Sequence, residues 1–205
     1  MIENKKEFIL FDTEYTAWEG SMQRNWSGEN EYRELVKISA IKVKRSKEEK
    51  LEIEDKVDIF VKPTINPILS EYFTKLTGIE MRDVEEYGVD LEEAIEILYE
   101  FSLNENQEYI DLYSYGNDFG IIEENVELKN LNLKFIKDWK KKFHNIREYF
   151  EKNGVDTSKY TSGSLYKHYS IDIGKENIHD SSFDTYSLFV SLKAAEELKN
   201  CKKKL

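Results

Sequence analysis

Short apolar runs and alternating apolar positions predict strands in the first third of the chain. A run at residues 8–11 stops abruptly at polar residues, as a buried strand does when its C-terminal end opens on a polar site. Apolar residues follow at 35–43, and strict alternation over 57–61 ends before Pro63. We interpret the charged stretch 44–55 between them as a hairpin connection with solvated flanks. Three strands before any long helix favour an antiparallel meander.

Apolar residues three or four positions apart replace this alternation after Pro67 and predict helices. Gly78 and Gly154 are placed to end two of them. The predicted helices span residues 69–76, 91–101, 139–150 and 181–198, and two further strands span residues 109–115 and 131–136. This order predicts an α/β fold in which helices cover a mixed sheet of five strands. The length of 205 residues suits one domain, residues 1–205, with a core from about 6 to 198.

Composition narrows the class of protein. Hydrophobic residues make up 40% and charged residues 35%, a balance typical of water-soluble globular domains. No apolar run approaches the roughly 20 residues of a bilayer span, and the first ten residues lack a secretion signal, so we expect a cytoplasmic protein without a membrane partner. The single cysteine, Cys201, excludes an internal disulfide and a thiolate metal cage. Oxygen atoms must therefore hold any metal.

The net charge of −11 argues at first against a nucleic-acid partner, because phosphate binding normally uses a basic surface. A substrate responds to the local field, however, and divalent cations can invert the sign of an acidic cleft. Lysines and an arginine cluster at residues 134–147. From charge alone we favour the solvated face of a helix there, and a contact with the nucleic-acid backbone is the alternative.

Four acidic residues and a histidine stand at the ends of predicted elements. Asp12 and Glu14 lie two positions apart after the first strand, so their side chains point to the same side. Two such carboxylates repel each other unless a cation lies between them, although an isolated pair is more often a solvated strand end. Asp118 follows the fourth strand, and His179 precedes Asp184 at the start of the last helix. Taken separately, these could be solvated acids or helix caps.

In this order the residues resemble the DEDDh 3′-to-5′ exonucleases, a family with an RNase H-like fold that includes proofreading subunits and RNase T. The first motif of that family, Asp-x-Glu after an apolar strand, is matched by residues 12–14, and its histidine five residues before an aspartate by His179 and Asp184. Residues 33–41 resemble the second strand of the family, and 61–79 its connecting segment with a Leu-Thr-Gly-Ile turn. The resemblance covers residues 8 to 192.

The second motif departs from the family pattern. Relatives of the bacterial and RNA-trimming branches carry Trp-Gly with an aspartate three residues after the glycine, whereas here an aspartate follows Gly116 after two residues. Asp118 is the best candidate for this motif, and Asp111 is a weaker substitute.

The resemblance implies a chemistry for these residues. Two divalent ions about 4 Å apart, Mg²⁺ or Mn²⁺, would be bridged by Asp12 and completed by Glu14, Asp118 and Asp184. His179 would accept the proton of the attacking water, since its intrinsic pKa of about 6.5 leaves a neutral fraction at physiological pH. The implied substrate is a single-stranded nucleic acid with a free 3′ end. The sequence does not decide between RNA and DNA.

Residues beside the first motif are candidates for substrate binding, namely Thr13, Tyr15 and Trp18. Aromatic rings here and at Trp26 could stack on the terminal bases. Equally, the tryptophans could pack the long loop onto the domain. His144 and His168 lack carboxylate neighbours at motif spacing, so we expect surface or packing roles for both.

Two other functions use the same features. A binding module could keep the fold without activity, or a metal-dependent phosphoesterase could act on mononucleotides or short oligonucleotides. The shifted second motif is the one feature that points to the binding module, and the acidic net charge is compatible with the phosphoesterase. The sequence leaves the oligomeric state open.

Overall fold

A mixed sheet forms the centre of the computed structural model, which describes residues 2–174 and 179–202. Across the sheet the strand order is β3-β2-β1-β4-β5. β1, β2 and β3 are antiparallel neighbours, whereas β4 runs parallel to β1 and β5 parallel to β4. The strands are β1 (Glu7–Tyr15), β2 (Leu35–Arg45), β3 (Leu51–Phe60), β4 (Asp111–Ser114) and β5 (Phe143–Asn145). The predicted α/β architecture, with three antiparallel strands followed by parallel ones, is confirmed.

Helices cover both faces of this sheet. They are α1 (Glu71–Thr77), α2 (Met81–Tyr87), α3 (Leu91–Phe101), α4 (Asp118–Leu128), α5 (Ile136–Trp139), α6 (Arg147–Lys152) and α7 (Ser181–Lys202), with 3-10 turns at Ile2–Asn4, Lys140–Lys142, Thr157–Lys159 and Ser162–Tyr169. The helices predicted at 69–76, 91–101 and 181–198 correspond to α1, α3 and α7. Within the described ranges, no helix combines the length and apolar character needed to cross a bilayer.

Alternate residues of β1 enter two separate cores. Ile9 and Phe11 pack with buried residues of α3 and α4. Phe8 and Leu10 point to the other face and pack with buried residues of α7. Because side chains alternate along a strand, the polar residues that follow Phe11 are also divided between the two faces. This division positions the acidic residues.

The charged stretch 44–55 is largely strand and not a connection as predicted. β2 continues to Arg45 and β3 begins at Leu51, leaving only a short turn between them. β3 is an edge strand, and most of its side chains are exposed. Backbone pairing with β2 forms the strand while its charged side chains stay in water, so charge alone misidentified it.

The prediction for residues 131–150 was wrong in two places. Residues 131–135 form no strand, and the helix predicted at 139–150 is divided between α5, a 3-10 turn, β5 and α6. Trp139 and Phe143 have helical spacing, but they pack edge to face with ring centroids 4.8 Å apart. Phe143 pairs with Leu112 of β4. These contacts with the sheet place Phe143 in a strand, although the apolar spacing of residues 139–150 is typical of a helix. The pattern also failed to predict α2 and α4.

Candidate active site

Asp12 and Glu14 lie near the C-terminal end of β1, on the face of the sheet that α7 covers. They pair across the antiparallel ladder with Ser39 and Lys37 of β2. Asp12 is buried and Glu14 is half-buried. The ladder shifts register directly after Glu14, so the regular strand ends at this acidic pair.

Asp184 joins this pair from the first turn of α7. One carboxylate oxygen from each of Asp12, Glu14 and Asp184 can be chosen so that all three lie within 4.8 Å of one another. We call these three residues the acid group. The structure thus brings together residues from the first strand and the last helix that the sequence could only associate by motif.

The Asp184 side chain is fixed by a close approach of the Ser162–Tyr169 turn. Ser162 Oγ donates to its Oδ2 at 2.9 Å, and the backbone N–H of His179 donates to its Oδ1 at 3.3 Å. A Cβ at Gly163 would lie 2.0 Å from Asp184 Oδ1, so only glycine leaves room for the carboxylate. Ser162 and Gly163 were missed from the sequence, since neither carries a motif signal.

Asp118 approaches from the opposite face of β1, at the start of α4. Its Oδ1 accepts hydrogen bonds from the backbone N–H of Thr13 at 3.1 Å and from Thr13 Oγ1 at 2.7 Å. Asp118 therefore lies beside the acid group without sharing its oxygen triangle among the described residues. Its charge still acts there, because it raises the pKa of both Asp12 and Glu14.

Asp111, the weaker substitute for the second motif, lies at the other end of β4. Its carboxylate pairs with Lys5 and with His144 Nε2, the latter at 3.3 Å. Burial acts to raise the Asp111 pKa, but these hydrogen bonds outweigh it and lower the pKa. His144 also packs against the Tyr113 ring. This local pairing favours Asp118 over Asp111 as the second-motif residue.

Burial and mutual repulsion make the acid group costly to ionise. The pKa values of Asp12 and Glu14 are raised well above their usual range, first by burial and then by neighbouring carboxylates. Burial raises the pKa of Asp184 to about 6 and also raises the pKa of Asp118. A hard divalent cation would relieve this repulsion, and an all-oxygen donor set fits Mg²⁺ or Mn²⁺. The residues therefore fit the metal that the motifs implied.

His179 stands beside this group in a left-handed backbone conformation, with φ +72°. That conformation is uncommon for a residue with a Cβ, and histidine is among the residues that adopt it more readily. The side chain is half-buried, and burial lowers the pKa of its imidazole. The ring is therefore mostly neutral at neutral pH, as a proton acceptor requires.

The aromatic residues after the first motif divide between packing and partial exposure. Trp26 Nε1 donates to Thr16 O at 3.0 Å, and its ring lies 5.5 Å from that of Tyr15. These contacts support the packing interpretation for Trp26. Trp18 is half-buried. Tyr15 is also largely enclosed, and its burial raises the pKa of its hydroxyl to about 12. The Thr13 hydroxyl donates to Asp118. Substrate contacts by Thr13, Tyr15 and Trp18 stay predictions.

The basic cluster at 134–147 forms no single helical face. Lys140 pairs with Glu123 and Lys141 with Asp138, all exposed or half-buried. Arg147 donates to Thr157 Oγ1 and lies 5.3 Å from the Tyr115 ring. Lys140 and Lys141 are thus neutralised locally, and the cluster is divided between several elements, which argues against a continuous phosphate contact.

The sequence model of a family described as "Exonuclease" matches residues 9–189. None of the curated proteins searched matches the chain.

Solved structures with a similar fold include three nucleases. The nuclease domain of 3′hExo, a DEDDh family member bound to rAMP, shows a TM-score of 0.74 at 20% identity, over 96% of this chain and 94% of that one. Cell-death related nuclease 4 shows 0.66 at 15%, over 94% and 64%. E. coli Exonuclease I in complex with a dA16 oligonucleotide shows 0.63 at 13%, over 94% and 41%. At these identities the likeness establishes the fold, which is RNase H-like as expected.

Proposed function

The chain belongs to the exonuclease family, as its DEDDh-type motifs predicted, and we propose that it removes nucleotides from the 3′ end of single-stranded RNA or DNA by metal-dependent hydrolysis. The proposal places this activity in one exonuclease domain over residues 1–205. The observation that carries it is the acid group, three carboxylates from distant parts of the chain within 4.8 Å of one another. Buried carboxylates this close together repel one another unless bound protons or a cation neutralise them.

Asp12, Glu14 and Asp184 would hold the cations, with Asp118 completing the set directly or through water. Two Mg²⁺ or Mn²⁺ ions bound there would neutralise the scissile phosphate, lower the pKa of the attacking water and stabilise the departing 3′ oxygen. Asp12 is the most enclosed carboxylate on β1 and would bind a cation together with Glu14 and Asp184.

The protein residues supply orientation and proton transfer. His179, neutral because burial lowers its pKa, would accept the proton of the attacking water. The backbone N–H of His179 donates to Asp184 Oδ1, and this hydrogen bond keeps His179 beside the acid group. Tyr15 and Trp18 would support the terminal bases by stacking, an interaction that tolerates any sequence.

The substrate class draws support from the structural neighbours. One of them is bound to rAMP and another to a dA16 oligonucleotide, so the fold accommodates both sugars in other proteins. We therefore propose a single-stranded substrate with a free 3′ end and leave the sugar to experiment. A cytoplasmic location likewise stays a prediction.

A ladder assay tests the proposal. Oligonucleotides of both sugars, labelled at the 5′ end, are incubated with and without Mg²⁺ or Mn²⁺, with the 3′ hydroxyl either free or blocked. We expect stepwise shortening of the unblocked strands only, and none with Asp12→Ala. Asp55→Ala, which removes an exposed carboxylate of β3, is the matched control and should retain activity.

Each of the other outcomes would indicate a different function for this protein. Internal cuts, or equal activity in the Asp12 variant, would contradict a 3′ exonuclease. Hydrolysis confined to mononucleotides and the shortest oligonucleotides would indicate a phosphoesterase. Strand binding without hydrolysis would indicate an inactive binding module.

A further inference from the structure

Lys37 is a buried lysine directly beside the acid group. It lies on β2 opposite Glu14, and its side chain is only 7% exposed. Lysine is seldom buried to this extent without a specific partner. The proposed mechanism assigns it no role.

The Lys37 ammonium reaches across to the start of α7. Nζ donates to Asp180 Oδ1 at 2.7 Å and to Ser182 Oγ at 2.6 Å, and Asp58 Oδ1 lies 3.7 Å away. A second set of hydroxyl contacts follows the same path, since Ser39 Oγ lies 2.7 Å from Ser181 Oγ. The β2 strand and the first turn of α7 are thus connected by charge and by hydroxyl contacts.

Asp180 is the residue through which this contact can act on the site. It directly follows His179, and its carbonyl accepts the backbone N–H of Asp184 at 2.9 Å. Its Oδ1 also accepts the N–H of Ser182 at 3.2 Å, as a helix cap does. Movement of Asp180 would therefore displace both His179 and Asp184.

We propose that Lys37 is a positioning residue, which holds Asp180 and so fixes the turn that presents His179 and Asp184 to Asp12 and Glu14. The inference rests on the proposed function and adds to it the residue that sets the geometry of the last motif. The backbone of His179, with φ +72°, is uncommon for a side-chain-bearing residue and needs such external support. The Lys37 ammonium also lies beside Glu14, where its positive charge offsets part of the repulsion among the carboxylates.

A purely structural role predicts a different pattern from a positioning role. Breaking a buried ion pair destabilises any protein, so a loss of stability alone decides nothing. Positioning requires that kcat falls while KM is retained, and that removing the second partner of the pair adds little once the first is gone.

The test uses Lys37→Met, Asp180→Asn and their double variant. Asp180→Asn keeps a side chain able to cap Ser182 but removes the charge. Lys37→Arg is the conservative variant. Lys42→Met is the matched control, because Lys42 is on the same strand and its Nζ donates to Leu103 O at 3.0 Å, on the other face of the sheet. Activity in Mn²⁺ is measured together with backbone hydrogen exchange of residues 179–184 in metal-free protein.

We expect kcat to fall about tenfold or more in each single variant, with KM changed less than about twofold, and exchange at residues 179–184 to accelerate. The double variant should lose no more than the worse single variant, and Lys37→Arg should recover most of the activity. If Lys37→Met does not fold, the other two single variants decide. Asp180→Asn should then show the fall in kcat and the faster exchange, and Lys37→Arg should retain most of the activity.

The proposal is overturned by additive losses in the double variant, by unchanged exchange in both single variants, or by an equal loss in Lys42→Met. Hydrogen exchange is measured without metal or substrate. If the wild-type protein shows no 3′ exonuclease activity, the proposed function fails, while the exchange result still decides whether Lys37 fixes the His179 turn.

Discussion

Thr13 donates two hydrogen bonds to one oxygen of Asp118, a residue 105 positions further along the chain. Thr13 lies between the two acids of β1 and points to the opposite face, where α4 begins. The strand alternation that aims Asp12 and Glu14 at α7 therefore aims Thr13 at Asp118. One tripeptide thus contacts acids on both sides of the sheet.

Replacing Thr13 by valine should loosen Asp118. The substitution keeps the side-chain shape but removes a hydrogen bond to a charged group, which contributes about 1.5–3 kcal/mol. We expect weaker Mn²⁺ binding, measured by calorimetry, and about tenfold lower kcat/KM. Thr13→Ser keeps the hydroxyl and is the control. Equal impairment of both variants would show that the hydroxyl does not position Asp118.

Replacing His179 by asparagine should separate proton transfer from metal binding. The carboxylates remain and the backbone N–H to Asp184 is unchanged, so Mn²⁺ affinity should stay close to that of the wild type. Loss of a general base typically costs about 10²–10⁴-fold in rate, and we expect a fall in kcat of this order in single-turnover assays. A variant that retains the wild-type rate would exclude His179 as the proton acceptor.

Gly163→Ala should displace Asp184. The new Cβ would meet Asp184 Oδ1 at 2.0 Å, well inside van der Waals contact, so either the turn or the carboxylate must move. We expect loss of Mn²⁺ binding and a destabilisation of about 1–3 kcal/mol, measured by urea unfolding. The clash is absent in an Asp184→Ala background, where Gly163→Ala should cost much less. A similar cost in both backgrounds would contradict this account.

The metal-free protein should lose stability as pH rises through the range in which Asp184 ionises. The folded pKa of Asp184 is raised to about 6, so the native state retains a proton that the unfolded chain, with a pKa near 3.9, has already released. Stability from this source is present at low pH and is lost as pH rises from about 4 to above 6.

Asp184→Asn removes this titration and also the repulsion by which Asp184 raises the pKa values of Asp12 and Glu14, so comparison with the wild type reports the whole contribution of the Asp184 charge. We expect the unfolding free energy of the metal-free wild type, relative to the variant, to fall by about 1.4 kcal/mol between pH 5 and 7.5. Saturating Mn²⁺ should restore wild-type stability at the higher pH, because the cation replaces the protons. Parallel profiles for the two proteins would contradict the raised pKa.

Local patterns predicted the elements wherever the pattern and the packing agree. The apolar run of β1 and the helical periods of α1, α3 and α7 each match a buried stripe, so the sequence alone indicated them. Failure occurred where neighbours decide. The aromatic residues Trp139 and Phe143 are spaced like a helix but pack on the sheet, and β3 carries charged side chains because it lies at an edge.

The sequence by itself identified four candidate residues: Asp12 and Glu14, which share one face of a strand because they are two positions apart, and His179 and Asp184, whose spacing matches the family motif. Only the tertiary structure decided which oxygens meet. It placed Asp118 on Thr13 outside the oxygen triangle, fitted Asp184 against Gly163, and connected Lys37 to Asp180. These are contacts between residues far apart in the chain, and short-range periodicity carries no information about which distant surfaces will be buried together.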